Sequence, residues 1–259
     1  MSHHTVPAGN GLQWLTARLT LILKNPGPFA LMGLLVAVIA LVPVLGGLAL
    51  ILLAPALYGG IMFAAREQEA GRAVDFQQLF QAFREQGKLG KMILLCLPGI
   101  AAGIVIVVLG AILIGGAVMA VLGAGGSESA LGAGAGVGAL LFVVLALAIG
   151  LVSFALTFFA TPEVMLGNAE AFDAMKASLQ ACLANVGAVL IFGLVFVVGI
   201  VLLMLVLIWI PVIGQLAVTT IAAPLFSAAS YLAWREVYRH DAADPAPAST
   251  PPPPPSIAA

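Results

Sequence analysis

Six apolar stretches, at about 29–42, 48–65, 92–122, 139–166, 187–210 and 212–234, alternate with two kinds of connection. One kind is polar and carries a helical period. Over 12–24, Leu12, Leu15, Leu19 and Ile22 share one face while Gln13, Thr16, Arg18 and Thr20 lie elsewhere, as in a helix resting along a membrane surface. Phe76, Leu79, Phe80 and Phe83 follow the same i, i+3, i+4, i+7 rule, with Asp75 placed to cap the helix start. A third segment, 168–184, sets Phe172, Met175, Leu179 and Cys182 against Glu170, Asp173, Lys176 and Gln180. The other connections hold no basic residue: PVLGG at 43–47, the Gly-rich 123–138 read as a flexible loop, and the junction at 210–212. The pattern predicts an all-α, polytopic membrane protein, with six transmembrane helices as three hairpins, each preceded by a cytoplasmic amphipathic helix.

Length adds detail. The first span is short for a hydrocarbon core of about 30 Å, which needs roughly 20 helical residues. Its turn must lie near the far interface or in a locally thin bilayer. The third run would reach about 46 Å at 1.5 Å per residue, so tilt, a kink at Pro98 or an early exit near Gly115 must absorb the excess. Asn25-Pro26-Gly27-Pro28 breaks the first surface helix before the first span. Gly99 and Gly103 form a GxxxG pair, the spacing that lets a second helix approach closely.

Two distant stretches echo each other. VPVLGGLALILLAPALYGGIMFAARE at 42–67 and IPVIGQLAVTTIAAPLFSAASYLAWRE at 210–236 each open on a Pro-Val-aliphatic-Gly turn, enclose an Ala-Pro pair and end on Arg-Glu. Thr161-Pro162-Glu163 stands where Ala54-Pro55 and Ala223-Pro224 stand in the other two hairpins. Internal repetition implies one reused unit, here a surface helix plus a hairpin, over about 10–67, 74–167 and 168–237 within an integral membrane domain at 1–240. Such copies share one orientation about an axis near the membrane normal. A pseudo-threefold arrangement and a two-by-two pairing around the middle hairpin both satisfy this. The remaining Pro/Ala-rich tail, 241–259, is expected to be disordered.

Composition agrees with a bilayer: 62% of residues are apolar and 8% charged, against about half and a quarter in globular proteins. In a six-span drawing all ten Lys and Arg fall on one side. The positive-inside rule then places both termini in the cytoplasm, for a multi-pass protein of a bacterial inner membrane. Trp209 falls at the outer interface and Tyr231, Trp234 and Tyr238 at the inner one. The N-terminus lacks the pattern of a cleaved secretory signal. Cys96 and Cys182 have no CxxC or Cys/His spacing and read as packing residues. His3 and His4 are a weak metal pair, so no metal and no cofactor is expected.

Candidate residues are few, and four of them are prolines or follow one. Pro55, Pro162 and Pro224 can act as packing kinks or as hinges. Glu163 is an ionisable group about one turn inside the boundary, either functional by its depth or reaching interfacial water. Phe76, Phe80 and Phe83 form an aromatic stripe that rests on lipid or docks a partner. No paired carboxylates, nucleophile with base, or phosphate cradle is present, so no catalytic residue is assigned and an enzyme is not expected.

The stretch Ala174-Met175-Lys176-Ala177-Ser178-Leu179-Gln180-Ala181-Cys182-Leu183-Ala184-Asn185 resembles the A-x-x-x-S-x-x-A-C-x-x-N signature of an uncharacterised proteobacterial family, the BPSS-type six-span inner-membrane proteins. The VPAGNGLQWL opening and the segment 74–84 are similar to that family too, and a looser likeness extends to YciC-like proteins and the membrane domain attached to some glycerophosphodiester phosphodiesterases. The resemblance implies fold and inner-membrane location, and it carries over no catalytic residue. Glu163 departs from the apolar residue the resemblance leads one to expect after that proline.

The expected function is therefore a non-enzymatic accessory or scaffold protein organising partners or lipid at the cytoplasmic face. The alternative is a transporter or binding protein for an apolar or lipid-like small molecule. The lipid bilayer is the expected environment, a membrane-protein partner or a homo-oligomer is left open, and nucleic acid is not an expected partner.

Overall fold

Proline positions decide where the helices start and break. A computed structural model describes residues 3–116, 119, 128–207 and 209–238. Helix α1 (Asn10–Lys24) stops at Asn25, and α2 (Pro26–Leu41) begins on a proline, where the missing N–H has no partner to lose. The two axes bend by 109°, so α1 lies across one end of the bundle while α2 enters it. With 16 residues, α2 reaches only about 24 Å. A tight turn leads into α3 (Leu45–Glu69).

After α3 come a 3-10 turn (Phe76–Phe80), α4 (Gln81–Arg84), α5 (Lys88–Leu94) and α6 (Leu97–Gly110), the last continued by a π turn at Ala111–Gly115. Then follow α7 (Glu128–Thr157), α8 (Ala160–Gly167), α9 (Ala171–Ala184), α10 (Val186–Leu207) and α11 (Pro211–Tyr238). Among the described residues five runs are long and apolar enough to cross a membrane, six when the bent α1–α2 pair is counted as one span. The protein is thus an all-helical, polytopic membrane protein. The tail at 241–259 lies outside the described residues.

Two prolines break their runs and two do not. Pro98 cannot donate to the Leu94 carbonyl, and the third run breaks at Leu95 and Cys96. Pro162 cannot donate to Phe158, and the fourth run breaks at Phe158 and Phe159. Ser178 of α9 patches that second break: its Oγ accepts from the Phe159 N–H (3.0 Å) and donates to the Ala155 carbonyl (2.7 Å). Pro55 and Pro224 lie inside the continuous helices α3 and α11.

Helix α11 is the centre of the bundle, packed chiefly on α2 and flanked by α1, α3 and α10. Its crossing with α2 needs a glycine, because a Cβ on Gly33 would stand 2.2 Å from the Thr220 carbonyl oxygen. That carbonyl is the one four residues before Pro224, left without its helical donor. Gly11 lets α1 approach α10 in the same way, at 2.2 Å from the Ala188 oxygen. Hairpins two and three meet through aromatic rings, with Phe158 5.2 Å from Phe192 and 6.2 Å from Phe226.

On the amphipathic helices the residues packed inward are not simply the apolar stripe. On α1 the buried residues are Gly11, Trp14, Leu15 and Arg18, while Leu12 and Leu19 are exposed. On α9 the inward stripe is Ala174, Ser178, Ala181 and Cys182, and Phe172 is 64% exposed. In lipid an apolar side chain need not be hidden, so small residues that permit close backbone approach win the inner face. The expected helix at 75–84 is a 3-10 turn plus a single α turn; Asp75 does cap it, accepting from the Gln77 N–H (2.7 Å). Leu79 leaves the aromatic stripe because the segment seats on α3, where a Cβ on Gly60 would meet the Leu79 carbonyl at 2.2 Å. The expected loop at 123–138 is helical from Glu128 onward.

Replacing Gly33 by valine should lower the thermal unfolding midpoint of detergent-purified protein by several degrees, as overpacking typically costs about 1–3 kcal/mol. Gly47→Ala, whose added methyl meets nothing within 4 Å, is the control. Equal midpoints for the two variants would rule out the tight α2–α11 crossing.

Candidate functional site

The charged side chains collect at one end of the bundle, where they tie the helices together. Glu69, at the end of α3, accepts from Arg18 of α1 (2.9 Å) and from Arg235 (2.5 Å) and Tyr231 (3.0 Å) of α11. The Arg18 guanidinium lies over the Tyr231 ring, 5.3 Å from its centroid. Glu236 of α11 accepts from Asn10 (2.6 Å) and from the Trp14 indole of α1. Asn185 holds the N-terminal segment, accepting from the Val6 N–H (2.7 Å) and donating to the His4 carbonyl (2.9 Å).

The middle hairpin has its own ties. Lys88, almost fully buried at the start of α5, donates to the Met165 carbonyl (2.8 Å) and to Asn168 Oδ1 (2.5 Å). A cation at those last carbonyls is favourably placed against the dipole of α8. Glu85 sits 3.0 Å from the Lys88 Nζ; burial pushes its carboxyl up, but hydrogen bonds from Gln81 and Lys88 and the Lys88 charge hold it below the usual range. Glu163 of α8 accepts from the indole N–H of Trp234 on α11, joining the middle hairpin to the centre. Burial pushes the Cys182 thiol up to about 12, against the pull of the Ser178 hydrogen bond, so it is an unreactive packing group.

Away from these ties the middle hairpin stands apart from α3, and a cavity of about 1020 Å³ opens between them. That is at the upper end for small-molecule sites. One wall is α3, with Leu48, Ile51, Pro55 and Tyr58. The opposite wall is α6, with Gly99, Gly103 and Val107. Ser153, Thr157 and Thr161 close it on the side of α7 and α8, and Phe226 of α11 stands behind. Among the described residues, none that lines it is charged.

In comparison with known proteins, residues 15–235 match the model of a domain of unknown function, DUF7847. The chain belongs to the DUF7847 family. No curated protein and no solved structure matches it.

Within this DUF7847 fold the candidate residues are distributed unequally. Pro55 lines the cavity, and Pro162 and Glu163 follow directly on the lining residue Thr161. Pro224 lies one turn from the α2 crossing and two residues before Phe226. Glu163 is half-buried, with its carboxylate against the Trp234 indole N–H. Phe76, Phe80 and Phe83 lie on a separate surface, 40%, 37% and 40% exposed, with the last two rings edge to face. The GxxxG pair does not receive a helix: nothing lies within 4 Å of where a Cβ would stand on Gly99 or Gly103, and both face the cavity. The middle hairpin is held off at its charged end, so the small residues leave a gap. Tyr58 and Ser153 were not singled out as a pair by any spacing. The available signal was a tyrosine and a serine inside otherwise apolar runs.

Among the described residues, no group of three or more His, Cys, Asp and Glu could hold a metal ion. His3 stacks near Tyr238 (6.5 Å between centroids) and the His4 N–H donates to the Val237 carbonyl (2.9 Å), while His240 lies outside the described residues.

Proposed function

We propose that this protein is a non-enzymatic membrane protein that takes a lipid-like apolar molecule from the bilayer into the cavity between α3 and α6. The observation that carries this reading is the uncharged, apolar lining with two uncovered glycines at its wall. A hydrocarbon chain meets there the same apolar surroundings as in lipid, but in a fixed shape. The three proline-bearing segments border the cavity and would let its mouth adjust. A reused hairpin unit explains why they do, since the echo at 42–67 and 210–236 sets a proline at one depth in each copy.

A second reading, a scaffold at the membrane face, is favoured by one separate observation. Phe76, Phe80 and Phe83 present an apolar surface at the charged end although Leu79 between them is buried. For location we infer a bacterial inner membrane with both termini cytoplasmic. The support is that Arg18, Lys88, Lys91 and Arg235 meet acidic or carbonyl partners at a single end of the bundle.

Gly103→Leu should fill the cavity and reduce the lipid retained through gentle detergent purification, read by mass spectrometry, without loss of helicity. Unchanged lipid content would refute cavity binding. Replacing Phe76, Phe80 and Phe83 together by serine should abolish in vivo crosslinks to neighbouring proteins under the scaffold reading and leave bound lipid unaltered. Cysteine placed at position 72 should react only after the inner membrane is opened, whereas labelling from the periplasm would invert the topology.

A further inference from the structure

The polar groups on the cavity wall say more about the occupant. Three hydroxyls in the membrane part are occupied by their own helices: Thr157 Oγ1 donates to the Ser153 carbonyl (3.1 Å), Thr161 Oγ1 to the Thr157 carbonyl (3.0 Å) and Ser227 Oγ to the Ala223 carbonyl (2.8 Å). Ser230 Oγ is buried without a partner away from the cavity, and two hydroxyls on the cavity wall itself are also unpaired. Among the described residues nothing accepts from or donates to the hydroxyls of Tyr58 and Ser153, and both line the cavity. An unpaired hydroxyl away from water is costly, and a bilayer supplies no partner in its hydrocarbon.

The position of these groups along the cavity sets the occupant's direction. From Leu48 to Met62 the α3 wall spans 15 residues, about 21 Å at 1.5 Å per step, against about 15 Å for half a hydrocarbon core. On α3, Tyr58 belongs to the half of the wall nearer the charged end and Leu48, Ile51 and Leu52 to the far half, while Ser153, Thr157 and Thr161 stand on successive turns of the wall formed by α7 and α8. Tyr58 and Ser153 each offer a free donor, while Thr157 and Thr161, having donated to helix carbonyls, keep lone pairs to accept with. A hydroxyl head both gives and takes hydrogen bonds and therefore fits this set, whereas an ionised carboxylate or phosphate would lie without a cation on the lining.

Building on the cavity reading above, we propose that the site selects an uncharged lipid alcohol, its hydroxyl between Tyr58 and the Ser153–Thr157–Thr161 wall and its single chain laid along Gly99 and Gly103. The chain provides most of the contact and the hydroxyl provides the choice among lipids.

The test uses the full chain in nanodiscs with three diazirine probes of equal chain length: hexadecanol, palmitate at a pH where it is ionised, and hexadecane. Crosslinked adducts are read by intact mass. Hexadecanol should label several-fold to about tenfold more than either other probe, the range one added hydrogen bond commands. Tyr58→Phe and Ser153→Ala should each bring hexadecanol down toward the hexadecane level without changing the hexadecane level or the melting temperature. Equal labelling by alcohol and hydrocarbon, preference for palmitate, displacement of hexadecanol by phospholipid at equal concentration, or indifference to both substitutions would each overturn the alcohol assignment while leaving the cavity reading intact. If Gly103→Leu fails to reduce even hexadecane labelling, the cavity reading itself is wrong.

Discussion

Lipid tails are as apolar as leucine, so a helix in a bilayer gains little by turning leucine toward its neighbours. What it can gain is dispersion contact from close backbone approach, and satisfaction of polar groups that lipid cannot serve. Both are visible at the α2–α11 crossing, where Gly33 presses against the Thr220 carbonyl that Pro224 leaves without a donor. The same logic places Gly11 against α10 and Gly60 against the 3-10 turn. It also places Ala174, Ser178 and Ala181 inward on α9 while Phe172 faces out.

This explains what could be read from the chain and what could not. Spans are set by the length of apolar runs, and breaks by proline, so the six-span plan, the bend at Asn25 and the break near Pro98 were legible. Facing was not, because an apolar period marks the inner side of a helix only when water covers the outer side. Leu12, Leu19 and Phe172 belong to the apolar stripes, yet they are exposed and smaller neighbours pack inward. Arg18, which shares no stripe with them, is buried against Glu69, a residue 51 positions away that no local pattern connects to it. The signature at 174–185 was legible only as a resemblance, yet each of its named positions has a physical reason. Ala174 and Ala181 allow close approach, Ser178 mends a helix break, Cys182 packs, and Asn185 clamps the N-terminal segment.

The prolines show how context decides the outcome of one covalent feature. Each removes one helical donor, but α3 and α11 continue through Pro55 and Pro224, whereas the fourth run breaks before Pro162. At the break a neighbouring side chain can replace the lost geometry, because the Ser178 hydroxyl both accepts from Phe159 and donates to Ala155. The break redirects α8 so that Glu163 reaches Trp234 and Thr161 reaches the cavity. Pro162, Glu163 and the Thr161 edge of the cavity are thus linked by one local event, the failure of a single helical turn at 158–159.

The cavity follows from where the ties are. Polar groups hold the middle hairpin through Lys88, Glu163 and Lys91, all at the charged end. Farther along, α3 and α6 meet nothing that would draw them together, since neither hydrogen bonds nor a hydrophobic effect acts between apolar helices in lipid. Gly99 and Gly103 then widen a gap instead of closing a crossing. A lateral gap in a bilayer is filled by hydrocarbon of some kind, and for hydrocarbon alone the exchange with bulk lipid is nearly neutral. Any preference must come from the few groups on the wall that bulk lipid tails cannot satisfy, which are the hydroxyls of Tyr58 and Ser153. Selectivity in such a site is set by those two oxygens and capacity by the two glycines, so the two properties are separable by mutation.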